Sequence, residues 1–102
     1  MRLLSPSAAG VLNVFLTSPA TPRYGYELMQ ATGIKSGSLY PVLGRFEKLG
    51  WISGSMEASV NGRPPRKVYE FNTECTAEAR AALDRFFEMK QIPASERMNW
   101  GF

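Results

Sequence analysis

Two groups of residues near the middle of this chain have the chemistry needed to contact nucleic acid. The first is a basic, proline-rich segment, Gly62-Arg63-Pro64-Pro65-Arg66-Lys67. The second begins at Ser36 and places small residues and two cations at helical spacing. Cationic side chains bind phosphate, and small residues let a helix backbone approach a groove closely. Together these groups predict a DNA-binding surface.

The helix that would enter the groove is predicted to start at a cap on Ser36 or Ser38 and to run to about Leu49. Its apolar residues follow the spacing of a face that packs on a core. They are Leu39, Val42, Leu43, Phe46 and Leu49. The opposite face carries Gly37, Ser38, Pro41, Gly44, Arg45 and Lys48. Lys35 precedes the helix, where the helix dipole also favours phosphate. A plain solvated face is the alternative interpretation of these polar positions.

Two tyrosines near this helix have two interpretations each. Tyr24 can give its hydroxyl to a phosphate or pack in the core. Tyr40 can stack on the sugar-phosphate backbone or pack against the preceding helix. The cations of the basic segment would contact a minor groove or phosphate, and the alternative for them is a solubilising loop.

Helices are predicted on the N-terminal side of this surface. Ser5-Pro6-Ser7 predicts the start of a first helix, with a hydroxyl cap and a proline in the first turn, and Ser18-Pro19 ends it. A second helix is predicted from Tyr24 to Thr32, with Gly33 as its C-cap. The second and third helices would then form a helix-turn-helix.

A two-stranded ribbon, the wing, is predicted after the third helix. Trp51 and Ile52 begin its first strand, and Trp51 is expected to anchor the core. Gly54 to Pro65 is predicted to be a hairpin loop, because it is rich in glycine, serine and proline. Lys67 to Phe71 alternates polar and apolar residues and is the predicted return strand.

A final helix is predicted to begin at a cap on Asn72 or Thr73 and to end at Gln91-Ile92-Pro93, leaving a tail. Its apolar residues are Ala79, Ala82, Leu83, Phe86 and Phe87. Trp100 and Phe102, at the chain end, are expected to be buried by a partner subunit. The predicted organisation is a winged helix-turn-helix in residues 1–72 and a dimerisation helix with a tail in residues 73–102, as one compact unit. The fold class is therefore mainly α with a small β-hairpin.

Composition argues against several other classes of protein. The 102 residues include one cysteine and no histidine, which leaves no internal disulfide, no cysteine–histidine zinc site and no histidine base. No phosphate loop of the Walker type and no catalytic triad are present. We therefore expect no enzyme activity, no cofactor and no metal.

The charge distribution favours DNA as a partner. Residues 1–69 hold eight Lys and Arg residues against three Asp and Glu, whereas residues 70–102 hold four against six. The basic excess thus lies with the helix-turn-helix and the wing. The start of the chain lacks the apolar core of a signal peptide, and no apolar run reaches the length of a membrane-spanning helix. A cytoplasmic protein with no membrane partner is expected.

Four sequence blocks resemble the PadR family of bacterial transcriptional regulators over about residues 3–88. They are Tyr24-Gly25-Tyr26-Glu27-Leu28, Ser36-Gly37-Ser38-Leu39-Tyr40-Pro41-Val42-Leu43, Arg45-Phe46-Glu47-Lys48-Leu49-Gly50-Trp51 and Gly62-Arg63-Pro64-Pro65-Arg66-Lys67-Val68-Tyr69. One departure is that the Leu-Thr-x-x-Gly usual after the wing is absent, because Phe71 to Ala79 lacks the glycine.

The resemblance implies a homodimeric repressor that binds an inverted-repeat operator, with the C-terminal helix of each subunit packed on the first helix of the other. It also implies a small aromatic or amphipathic effector near the dimer interface. The residues predicted to contact DNA are Tyr24, Lys35, Ser36, Ser38, Tyr40, Pro41, Arg45, Arg63, Arg66 and Lys67. Those predicted to form the dimer interface are Leu12, Phe15, Leu83, Phe86, Phe87 and Trp100. Two alternatives stay open: an architectural DNA-binding factor, and a winged-helix module that binds another protein.

Overall fold

The structure is a computed structural model that describes residues 3–59 and 61–101. Phe102, which was expected to be buried with Trp100, lies outside the described residues. The elements in chain order are α1 (Pro6–Thr17), β1 (Arg23–Tyr24), α2 (Gly25–Thr32), α3 (Ser36–Lys48), β2 (Ile52–Glu57), β3 (Arg66–Phe71), a 3-10 turn (Thr73–Cys75), α4 (Thr76–Met89) and α5 (Ala94–Arg97). The predicted fold class, mainly α with a winged helix-turn-helix, is confirmed.

Helix α1 is the centre of the core and packs against α2, α3 and α4. The Ser5 hydroxyl accepts a hydrogen bond from the Ala8 N–H at 3.1 Å, which confirms the predicted cap. Every residue from Ala8 to Leu16 is buried. Because apolar residues surround nearly the whole helix, α1 is covered on all sides rather than on one face.

Helices α2 and α3 form the predicted helix-turn-helix, but two details of α3 differ from the prediction. Neither Ser36 nor Ser38 caps the helix. Instead Lys35 is the N-cap residue, and its carbonyl accepts the Ser38 and Leu39 N–H groups at 3.0 and 2.9 Å. Leu49 is not a core residue but is 40% exposed. It follows the last helical turn, where the chain reverses direction, and so it leaves the apolar stripe.

The wing belongs to a three-stranded antiparallel sheet with strand order β1-β3-β2, so the predicted two-stranded ribbon gains the short strand β1. Strand β2 also extends to Glu57, within the segment predicted to be a loop. Gly54 suggested a turn, yet it pairs with Tyr69 inside the ladder. A Cβ on Gly54 would lie 2.7 Å from Lys67 Cε and 3.0 Å from the Tyr69 ring. The glycine therefore permits close packing within the strand.

The C-terminal part of the chain folds back on the core. The Asn72 side chain accepts the Glu74 N–H at 3.1 Å and caps the 3-10 turn that leads into α4. The segment predicted to be a tail contains the short helix α5. Trp51 is fully buried as expected, and its indole N–H donates to the Glu78 carboxylate. None of the helices in residues 3–59 and 61–101 has the length and apolar character needed to span a bilayer.

Candidate nucleic-acid interface

The N-terminal half of α3 presents an exposed polar surface. Lys35, Ser36, Ser38 and Pro41 are all exposed. No described side chain caps this helix, and the N–H groups that precede that of Ser38, which already binds the Lys35 carbonyl, remain available to an anion. The arrangement combines short hydroxyl side chains with backbone donors and a cation. Such groups can bind base edges and phosphate oxygens.

Tyr40 packs against the start of α2 and remains 45% exposed. An ideal Cβ on Gly25 would lie 2.7 Å from the Tyr40 hydroxyl oxygen. The absence of a side chain at Gly25 therefore makes room for that hydroxyl. Of the two interpretations of Tyr40, packing on the preceding helix is the contact that the structure contains.

The last turn of α3 holds two cations predicted to face DNA. Arg45 is half-buried and Lys48 is exposed. Positive side chains at a helix C-terminus also interact favourably with the helix dipole. Both positions are therefore also the ones at which the helix dipole favours a cation, with or without DNA.

The loop between β2 and β3 carries an exposed arginine, Arg63. Gly62 and Asn61 have positive φ values of 76° and 53°, which form the turn at the tip. The Ser59 hydroxyl donates to the Arg63 carbonyl and closes the base of the turn. The Arg63 side chain lies in solvent, where a phosphate could reach it.

Arg66 is engaged in a cluster with two side chains from the flanking strands. Its guanidinium Nη2 lies 3.0 Å from Glu57 Oε1, and its Cζ lies 4.4 Å from the centroid of the Tyr24 ring. The Tyr24 hydroxyl donates to the other oxygen of Glu57. We call Tyr24, Glu57 and Arg66 the wing cluster. Tyr26 extends it, because its ring stacks on that of Tyr24 at 5.5 Å.

Lys67 lies on the opposite side of the sheet from the wing cluster. Its Nζ is 3.8 Å from Glu47 Oε1 of α3 and 5.3 Å from the Tyr69 ring centroid. Successive residues of a strand point to opposite faces, so neighbouring positions 66 and 67 diverge. The three cations predicted to act together are therefore separated. Arg63 is on the loop, Arg66 is in the wing cluster and Lys67 is against α3.

The wing cluster shifts the pKa of each of its members. The hydrogen bond from Tyr24, followed by that from Arg66, lowers the pKa of the Glu57 carboxyl below its ordinary value. The bond to Glu57 raises the pKa of the Tyr24 hydroxyl and also that of the Arg66 guanidinium. At neutral pH the cluster therefore consists of a carboxylate, a guanidinium and a neutral phenol.

The residues predicted to form a dimer interface pack inside the single chain. Leu12, Phe15, Leu83, Phe86 and Phe87 are at most 1% exposed. Trp100 is half-buried, and its ring meets those of Phe86 and Phe87 edge to face at 5.0 and 6.0 Å. Part of the surface that covers Trp100 is thus provided by its own α4.

Asn13 on α1 anchors the C-terminal segment. It is a polar residue, yet its side chain is buried in the core and only 4% exposed. Its amide Nδ2 donates to the carbonyl oxygens of Arg97, Met98 and Trp100 at 2.9, 3.2 and 3.0 Å. Gly101 then passes over Gly10, where a Cβ on Gly101 would lie 2.7 Å from Gly10 Cα.

A cavity of about 370 Å³ lies between α1, α4 and this C-terminal segment. Its wall combines the apolar Leu16 and Phe87 with the polar Asn13 and the charged Arg80 and Asp84. The volume is within the range of small-molecule pockets. An amphipathic molecule of modest size matches this lining.

Sequence reasoning missed Glu57 and Asn13. Glu57 fell in a segment interpreted as loop, and it joins Tyr24 from 33 residues away. If the sequence had been interpreted as a longer β2 that extends to Glu57, strand pairing would have placed Glu57 opposite Arg66. Asn13 had one signal, because it is a lone amide inside an otherwise apolar helix. Such a residue requires a buried hydrogen-bond partner.

The chain is similar to known transcriptional regulators. The model of the family described as Transcriptional regulator PadR-like family matches residues 11–81. A solved PadR family transcriptional regulator from Eggerthella lenta DSM 2243 is 22% identical, over 83% of this chain and 79% of that chain, with a TM-score of 0.64. A PadR-like transcriptional regulator from Bacillus cereus strain ATCC 14579 is 26% identical, over 82% of each chain, with a TM-score of 0.59.

A third similar structure is Pex from Synechococcus sp. strain PCC 7942. It is 26% identical over 84% of this chain and 85% of that chain, with a TM-score of 0.59. No curated protein matches the chain.

Proposed function

Because the chain belongs to the PadR-like family of transcriptional regulators, we propose that it is a sequence-specific DNA-binding repressor acting as a homodimer on an inverted-repeat operator. The observation that carries the proposal is the exposed N-terminal half of α3, whose first N–H groups no described side chain caps. A surface of this kind fits a DNA major groove. Since the target is chromosomal DNA, the proposal places the protein in the cytoplasm.

The proposed contacts divide between base reading and phosphate binding. Ser36, Ser38 and Pro41 would lie against base edges, because they are exposed and compact. Lys35 and Arg63 would bind phosphates, since both are exposed cations, one at the N-cap of α3 and the other in the loop between β2 and β3. The remaining candidates have intrachain contacts or a half-buried position, and they support this surface from its edge: Tyr24, Tyr40, Arg45, Arg66 and Lys67.

The proposed dimer places two α3 helices about one helical turn of DNA apart, roughly 34–36 Å. Since α1 is covered within its own subunit, the interface would use side chains of α4 and the C-terminal segment that stay exposed. Met89 and Met98 are 63% and 74% exposed and are candidates for such contacts. Exposed methionines adapt well to a partner surface.

The proposal extends to a small aromatic effector that binds in the cavity between α1, α4 and the C-terminal segment. Met98 would contact its ring, and Arg80 and Asp84 would bind its polar groups. A panel of small aromatic acids and amines, added to the protein–DNA complex, tests this. Release of DNA by one class of compound supports the effector, and no release by any of them contradicts it.

The decisive experiment is genome-wide recovery of DNA fragments bound by the purified protein at near-physiological salt. Enrichment of a short inverted repeat in one or a few promoters supports a dimeric operator-binding regulator. Phased clusters at one locus, or many unrelated fragments, would favour the architectural factor. No enrichment would favour the protein-binding module.

Two variants test the division of contacts. Ser38→Ala is expected to reduce discrimination between operator and random DNA more than it reduces total affinity. Arg63→Ala is expected to weaken binding to all sequences and to lower the salt slope by about one unit. Equal loss of specific and non-specific binding in both test variants would contradict the division.

A further inference from the structure

We propose that the wing cluster fixes the orientation of the wing relative to α2 and α3, and that Arg66 is a positioning residue rather than a phosphate contact. The DNA-binding part of this inference rests on the proposed function. The structural part concerns only the folded chain. Three observations lead to it.

The first observation is that the wing cluster bridges all three strands of the sheet. Glu57 of β2 pairs with Arg66 of β3, and Tyr24 of β1 pairs with Val68 of β3. Positions 66 and 68 share one face of β3, and Tyr69 and Phe71 of the other face are buried in the core. The Tyr24 hydroxyl reaches Glu57 across the central strand. The cluster thus ties the two edge strands together on the outer face.

The second observation is that Arg66 already has partners for its charge. Glu57 lies 3.0 Å from its guanidinium, and the rings of Tyr24 and Tyr26 lie 4.4 and 5.9 Å from its Cζ. Its side chain is 32% exposed. To bind a phosphate, Arg66 would have to give up these contacts and leave the Glu57 carboxylate near the DNA. Arg63 is exposed in the loop, and among the causes that lower the pKa of Glu57 its charge comes after the hydrogen bonds from Tyr24 and Arg66.

The third observation is that the wing cluster continues into the helix-turn-helix. The Tyr24 N–H donates to Glu27 Oε1 at 2.8 Å, so Tyr24 is also part of the N-terminal cap of α2. The next residue, Gly25, lies under the Tyr40 hydroxyl of α3. A displacement of Tyr24 is therefore transmitted both to the wing and to the helix that would read DNA. Because a surface ion pair alone contributes little, the combined hydrogen bonds and ring contacts are what make the cluster rigid.

The first test needs no DNA. Backbone amide order parameters of Gly62 and Arg63 are measured by NMR in the wild type, in Tyr24→Phe and in Tyr26→Phe. The Tyr26 variant is the matched control, because it removes a hydroxyl from the stacked neighbouring ring rather than from the ring bonded to Glu57. We expect lower order parameters in Tyr24→Phe alone. Equal values in all three proteins would overturn the proposal.

The second test uses the sign of a charge effect. Glu57→Gln and Glu70→Gln each remove one negative charge from the outer face of the sheet, and Glu70 is exposed. Binding to a random-sequence duplex of about 30 base pairs is followed by fluorescence anisotropy over a range of salt. Loss of a negative charge should strengthen DNA binding slightly. We expect this for Glu70→Gln, whereas Glu57→Gln should weaken binding by about fivefold.

The NMR test and the DNA-binding test can contradict the proposal independently of each other. If Glu57→Gln strengthens DNA binding as Glu70→Gln does, the proposal is wrong. The proposal is also wrong if Arg66→Gln lowers the salt slope by about one unit, as Arg63→Gln should, because Arg66 then contacts phosphate. If the wild-type protein does not bind the duplex at all, the proposed function fails. The order parameters of the Tyr24→Phe protein still decide whether the cluster holds the wing.

Discussion

The contact between Asn13 and the C-terminal segment gives a quantitative prediction for Asn13→Leu. Leucine has a similar size but no donor, so the carbonyl oxygens of residues 97, 98 and 100 would lose the hydrogen bonds of 2.9–3.2 Å. The Arg97 carbonyl also accepts the Trp100 N–H at 3.2 Å, so the loss falls mainly on the carbonyls of residues 98 and 100. A partly buried acceptor without a partner costs about 1–3 kcal/mol.

The decrease in the free energy of unfolding has an upper limit, because the C-terminal segment can instead detach and expose its carbonyls to water. Detachment separates Trp100 from Phe86 and Phe87, and burial of one large side chain contributes about 1.5–3 kcal/mol. The two routes have similar magnitudes. We therefore expect Asn13→Leu to lower the free energy of unfolding by roughly 2–3 kcal/mol and the Tm by roughly 10–20 °C.

Urea unfolding followed by circular dichroism measures the total loss, and limited trypsin digestion after Arg97 measures opening of the segment. Asn99→Leu is the matched control, because Asn99 lies in the same segment but is exposed. It should change stability by no more than about 0.5 kcal/mol. If Asn13→Leu is as stable as the wild type and is cut after Arg97 at the same rate, Asn13 does not anchor the segment.

Three further predictions concern close contacts and pH. Gly25→Ala should destabilise the protein by about 1–2 kcal/mol, because its Cβ would lie 2.7 Å from the Tyr40 hydroxyl; in a Tyr40→Phe background the same change should be neutral by thermal unfolding. Gly101→Ala should speed tryptic release of the C-terminal segment, because its Cβ would meet Gly10 Cα at 2.7 Å and its φ is +84°. Gly10→Ala, with its nearest contact at 3.6 Å, should leave the release rate unchanged. Finally, because the pKa of Glu57 is lowered, the wing cluster contributes stability above the ordinary carboxyl pKa and loses it as pH falls through the lowered value. Because the pKa of Tyr24 is raised, the contribution is lost again when pH rises through that raised value in alkali. An NMR titration in which the wing amides shift at neither end of the pH range would contradict this.

Local signals in the sequence account for most of the fold that was predicted correctly. The hydroxyl cap at Ser5 and the left-handed C-cap at Gly33 set helix ends through interactions within a few residues. The apolar stripe of α3 identified its buried face at Leu39, Leu43 and Phe46. Because periodicity and caps depend on neighbours in the chain, they can be recognised without the folded structure.

Errors in the predicted fold occurred where a residue's role depends on a distant part of the chain. Gly54 suggested a loop because glycine is common in turns, but in the structure it makes room for the Tyr69 ring across the strand pair. Leu49 followed the apolar pattern of α3, yet the chain turns away from the core at that residue and exposes it. Both features depend on which residues pack next to Gly54 and Leu49 in the folded chain. The spacing of residues along the sequence does not contain that information.

The sequence by itself determined that the chain is a winged helix-turn-helix with its basic residues near the reading helix and the wing. The tertiary structure alone decided what those residues touch. Strand alternation separates Arg66 from Lys67, and the fold brings Glu57 to Tyr24 across 33 residues and Asn13 to the Arg97 carbonyl across 84. Hydrogen bonds and ion pairs act over a few ångströms in space whatever the distance along the chain. Their partners are therefore fixed only when the helices and strands have packed together.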